Sequence, residues 1–165
     1  MRVYLPSSMS AVRALLDTGE LGPAPLTAFA VTPALREWYL DDDLEELEYA
    51  AMNEAARASL RLLDADPTAA RRRVVVALDA PDVDVEVRDD LDRGVVRLQQ
   101  PVTLAQIASV HVDDADAEPA VAAAAGAIIA ADLGDQAAQD RVDDAEGHEL
   151  SWYATQELAH LLDSL

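Results

Sequence analysis

The chain has 165 residues, with 12 Lys+Arg against 32 Asp+Glu, so its formal charge is −20 and its pI is near 4.1. Cysteine and lysine are both absent, which excludes disulfides, thiolate metal sites, a thiol nucleophile, a Schiff-base lysine and the lysine of a phosphate-binding loop. A hydrophobic fraction of 51% is too high for a disordered chain. The negative charge disfavours direct binding to nucleic acid or an anionic membrane and favours a basic partner. One acidic, globular domain over residues 1–165 is expected.

The charge is uneven. Residues 1–70 hold 5 Arg and 12 acids, residues 71–112 hold 6 Arg and 7 acids, and residues 113–165 hold 1 Arg and 13 acids. The N-terminus lacks a long apolar core before a cleavage site, and the longest apolar run, 120–131, is too short to span a bilayer. A cytoplasmic protein is the expectation. Arginine in place of lysine, with rich Ala, Asp and Val usage, suggests a high-GC genome.

In chain order, residues 2–5 read as a strand. Ser7 or Ser8 caps a helix over 9–17, which Gly19 ends. Residues 27–32 read as a second strand, and Pro33 opens a short helix through Trp38 and Tyr39. Asp41, Asp42 and Asp43 place negative charge at the start of the next helix, 44–63. There Leu44, Leu47, Ala51, Ala55, Ala58 and Leu62 form one apolar stripe, and Tyr49, Met52, Ala56, Leu60 and Leu63 a second. Such a wide face suits a helix lying on a sheet.

The β-branched run 74–78 predicts a central strand, and the strict alternation over 82–87 a strand with one wet face or an exposed ribbon. Further strands are expected over 95–98 and 109–112, with a helical turn over 103–107. An Ala-rich helix follows, then a polar stretch after Gly134. A final helix is expected over 148–165, burying Leu150, Ala154, Leu158, Leu161 and Leu165. Residues 2–64 and 95–132 repeat the order strand, helix, strand, acidic cap, helix. This suggests a weak βαβ-type internal pseudo-repeat. The fold class is therefore α/β or α+β: a sandwich of a mixed β-sheet with helices packed on it.

Several segments together carry a family likeness: Met1-Arg2-Val3-Tyr4-Leu5-Pro6, the stretch from Leu26 to Trp38-Tyr39, and residues 46–51, 110–121 and 149–158. They resemble a family of small uncharacterised actinobacterial proteins, a domain of unknown function. The resemblance covers nearly the whole chain and implies a single-domain protein, with no activity or site residues to carry over.

The candidate site residues fall into three groups. Trp38, Tyr39, Trp152 and Tyr153 hold both tryptophans and offer rigid amphipathic faces to a partner; buried and rim positions at helix–sheet boundaries would use the same residues structurally. Glu149, Tyr153, Glu157 and His160 are the candidates for carboxylate/His chemistry. Glu157 and His160 form a single Glu-x-x-His unit, whereas a di-metal bundle needs two. Asp113, Asp114 and Asp116, with Glu118, follow a strand and could hold a divalent metal, although helix capping with macrodipole compensation is the favoured reading of them. Arg71, Arg72 and Arg73 are the only basic cluster, and an intramolecular role offsetting nearby acids is expected. No Gly-x-Ser-x-Gly, Gly-rich phosphate loop or dinucleotide fingerprint occurs. His111, within a strand, lacks a visible triad. No cofactor is expected. The favoured function is a non-catalytic protein-binding or regulatory module, with a basic protein partner or self-association. A small carboxylate/His-based or metal-dependent enzyme is the alternative, and a nucleic-acid mimic a further one.

Overall fold

The structure is a computed structural model, and it describes residues 1–39 and 43–165. Asp41 and Asp42, expected to charge the start of the long helix, lie outside the described residues. Among the described residues nine strands form: β1 (Arg2–Ser7), β2 (Glu20–Leu21), β3 (Leu26–Ala30), β4 (Val74–Asp79), β5 (Val85–Val87), β6 (Val95–Leu98), β7 (Val102–Thr103), β8 (Ile107–Val112) and β9 (Ser151–Tyr153). Seven make one sheet in the order β5-β6-β3-β1-β4-β8-β9, and β2 pairs with β7 in a separate ribbon. The helices are α1 (Met9–Thr18), α2 (Pro33–Trp38), α3 (Leu44–Ala65), α4 (Glu118–Asp132), α5 (Gln136–Glu146) and α6 (Leu158–Asp163).

The α/β sandwich is as expected, but each neighbouring strand pair is antiparallel. A mixed sheet and two βαβ halves are therefore corrected: the second strand of the first supposed unit, β3, returns antiparallel beside β1. Alternation along the strands sends side chains to two apolar layers. Val3, Leu5, Val74, Val76, Val110 and Val112 face α1 and α6. Tyr4, Phe29, Val75, Ala77 and Val95 face α2 and α3. The run 74–78 is buried throughout because β4 lies between β1 and β8 with helices over both faces.

Local chemistry sets the helix ends. Ser8 caps α1 by accepting from the Ala11 amide, and Gly19 closes it at φ 84. Asp43 caps α3 by accepting from the Glu45 amide. The Ser59 hydroxyl, wholly buried on α3, donates to the Ser7 carbonyl at 2.8 Å and accepts from the Val74 amide at 3.1 Å. One side chain thus ties α3 to the ends of β1 and β4. Leu47 and Leu60 on α3 are buried, each worth about 1.5–3 kcal/mol by the area removed from water. Beyond Leu60 the helix leaves the sheet and packs Leu60 and Leu63 against Val121, Ile128 and Val142 of the α4–α5 hairpin.

Three elements differ from expectation. Residues 82–84 form a 3-10 turn with Val83 outside, so only 85–87 pair as a strand. The polar stretch after Gly134 is helix α5, capped by Asp135 and burying only Ala138, Val142 and Ala145. The expected terminal helix is broken: Ser151, Trp152 and Tyr153 pair with Val112, His111 and Val110, a 3-10 turn follows over Thr155–Glu157, and α-helix is confined to 158–163. Burying Tyr153 against the core and extending the sheet wins over the leucine periodicity, as tertiary pairing commonly overrides a local pattern.

Candidate functional site

Helix α3 lies over β1, β3 and β4 and leaves the same face of β8 and β9 open beside it. Glu45, Glu48, Tyr49 and Met52 follow helical spacing and share one side of α3. Ser109, His111 and Trp152 alternate with core residues on β8 and β9. The two sets line a groove of about 340 Å³, with Tyr4 and Ala77 also contributing. A second depression of about 500 Å³ continues past Tyr49 and Met52 to Arg57, Glu146, His148 and Glu149. A third, of about 410 Å³, runs from Tyr49 to Tyr39, Asp43 and Glu46. Tyr49 lines all three.

On the floor of the groove the polar groups are held. The Tyr4 hydroxyl donates to Glu48 Oε2 at 3.0 Å. Burial and that bond push the Tyr4 phenol well above its ordinary value, so it stays protonated and anchors Glu48. Arg2 forks onto Asp79 at 2.9 and 3.2 Å. Ser109 Oγ lies 3.0 Å from His111 Nε2. Burial, and then the charge of Arg2, hold the His111 imidazole below its ordinary value, so it is neutral near pH 7. Among the described residues no acid is bonded to the other ring nitrogen, and the pair lacks the orienting third group of a nucleophilic triad. In the adjoining depression, burial raises the Glu146 carboxyl above its usual range, and Arg57 is bonded to Asp132 and Gln139.

The expected site residues scatter. Trp152, 60% exposed, stands at the groove, while Tyr153 turns to the opposite face and packs against the core. Trp38 is 61% exposed, with the Arg93 guanidinium 3.6 Å above its ring; Tyr39 lines the depression beside Tyr49. Glu149 lines the 500 Å³ depression. Glu157 accepts from the Ala154 amide and so closes its own turn. His160 is exposed on α6, which packs on the other face of the sheet. Glu149, Tyr153, Glu157 and His160 are thus not brought into one pocket. Asp113 is wholly buried and forks onto Arg73 at 2.7 and 2.8 Å. Asp114 accepts from the Ser151 hydroxyl and Asp116 is exposed. Among the described residues no group of three or more His, Asp or Glu side chains could hold a metal ion.

The arginine run has the intramolecular role expected of it. Arg71 donates to the carbonyls of Leu63, Asp66 and Ala69, Arg72 pairs with Glu118 at 2.9 Å, and Arg73 holds both Asp113 and the His148 carbonyl. That last contact fixes the segment entering β9 and hence the position of Trp152.

A model described as a family of unknown function, DUF6912, matches residues 1–162. The chain belongs to the DUF6912 family. No curated protein and no solved structure matches it. Sequence reasoning placed Tyr49 in the buried stripe of the long helix, whereas in this DUF6912 chain it is 57% exposed. The signal was present in the interleaving of Glu45 and Glu48 with Tyr49 and Met52 on one helical face, a mixture foreign to a core. Among the described residues of the DUF6912 chain, no helix is long and apolar enough to cross a membrane.

Proposed function

We propose that the chain is a non-catalytic binding protein that seats a segment of a partner protein in the groove beside α3. The observation that carries this reading is the pair of exposed rings, Tyr49 and Trp152, on either side of an open groove whose floor is already hydrogen-bonded. Large exposed aromatics around a concave surface are the residue types that anchor partners. The cytoplasmic setting and actinobacterial origin expected from the sequence belong to the same reading.

A photocrosslinking side chain placed at Tyr49 in the native host tests it, with the same group at Val83, far out on the 3-10 turn, as control. A discrete adduct at position 49 that is absent at 83 and lost with Trp152→Ala supports the reading. Adducts that are the same at both positions, or indifferent to Trp152→Ala, overturn it. An adduct of twice the chain's mass makes the occupant a second copy and overturns the version with a different partner.

A further inference from the structure

The charge and chemistry of the groove narrow its occupant, on the reading that it seats a protein segment. We infer that the segment presents an arginine side chain, stacked on Trp152 and Tyr49 with its guanidinium turned to Glu45 and Glu48.

The groove offers acceptors and few donors. Its one arginine, Arg2, is spent on Asp79, and His111 shares its Nε2 with Ser109. Glu48 uses only Oε2 for Tyr4, and Glu45 forms no ion pair among the described residues. Glu45 and Glu48 stand one helical turn apart, so a fork of N–H donors can address both. An anionic ligand would meet two carboxylates and no uncommitted cation. The exposed faces of Trp152 and Tyr49 attract a cation through their π-systems, and a planar guanidinium also stacks on them, which a lysine ammonium does not. The chain already makes this contact elsewhere, where Arg93 lies 3.6 Å over Trp38. A chain carrying −20 also draws a cationic segment from a distance.

The test uses the full chain carrying Trp38→Phe, which leaves the Trp152 indole N–H as a single NMR signal. Three capped pentapeptides are titrated, identical except for a central arginine, lysine or citrulline. The arginine peptide is expected to shift the Trp152 and His111 signals saturably, with affinity falling as salt is raised. The citrulline peptide should bind about tenfold more weakly, and the lysine peptide should fall between them. Glu45→Gln with Glu48→Gln, which keeps an acceptor for Tyr4, should weaken the arginine peptide about fivefold or more while leaving the fold's spectrum unchanged. Equal binding of arginine and citrulline peptides, or no saturable shift for either, overturns the inference. Either result alongside an intact Tyr49 crosslink removes only the cation and leaves the groove as a binding site. Loss of the crosslink as well removes both.

Discussion

Arg73 and Asp113 are 3% and 0% exposed, and the carboxylate also accepts from the Arg73 amide at 2.8 Å. A buried pair of this kind contributes little against a well-packed apolar substitute, but breaking it strands a charge. Asp113→Ala should therefore cost about 3–5 kcal/mol in urea unfolding. The double variant Arg73→Met, Asp113→Leu should recover a large part of that loss; a double variant as unstable as Asp113→Ala would refute the charge explanation. His111 gives a second test at this scale. Its folded pKa lies below the unfolded one, so the unfolded chain binds the extra proton and stability is greatest above the unfolded value of about 6.5. Stability should fall as pH is lowered through that value toward the depressed folded one. His111→Gln should flatten the dependence of the melting temperature on pH in this window, and an unchanged slope would remove His111 as its source.

At the scale of elements, α4 is apolar on nearly every side, and Gly126 faces open space in its middle, with nothing within 4 Å of an added Cβ. Its φ is ordinary, so alanine gains helix propensity without a clash. Gly126→Ala should raise stability by about 0.5–1 kcal/mol, read from the urea midpoint. The contrast is Gly94, at φ 84, where a Cβ would meet the Ala30 carbonyl at 3.3 Å. Elements with strong patterns were legible: the extent and Asp43 cap of α3, the β-branched β4, and Ser8 and Gly19 bounding α1, although Leu44 and Leu62 of the expected α3 stripe are exposed. Helix α5 escaped because three small buried residues among seven charged or amide side chains make too thin an apolar face. β9 escaped because Leu150, Leu158 and Leu161 mimic a helix, and only the edge of β8, contributed from forty residues earlier, makes the strand worthwhile. The site followed the same divide. Trp152 stood out by type, whereas Tyr49 and Glu48 gained meaning only once β8 and β9 were seen to pass uncovered beside α3.

Across the whole molecule, the acidity of the last third is less lopsided in space than along the chain. Arg57 and Arg61 reach Asp132, Arg72 reaches Glu118, and Arg73 reaches Asp113. Arginines from residues 57–73 thus neutralise acids at the α3–α4 junction. The position of β1 at the centre of the large sheet carries a different consequence. β1 is flanked by β3 and β4, and the sheet is finished at one edge only when residues 151–153 join β8. Contacts so far apart in sequence are slow to close. Trp152 arrives on β9, so a chain synthesised only as far as residue 150 has α3 and Tyr49 but no opposing ring. On the proposed reading, recognition in the groove is in this way deferred until residues 151–153 have been made, and a chain stopped before Ser151 would carry only one of the groove's two exposed rings.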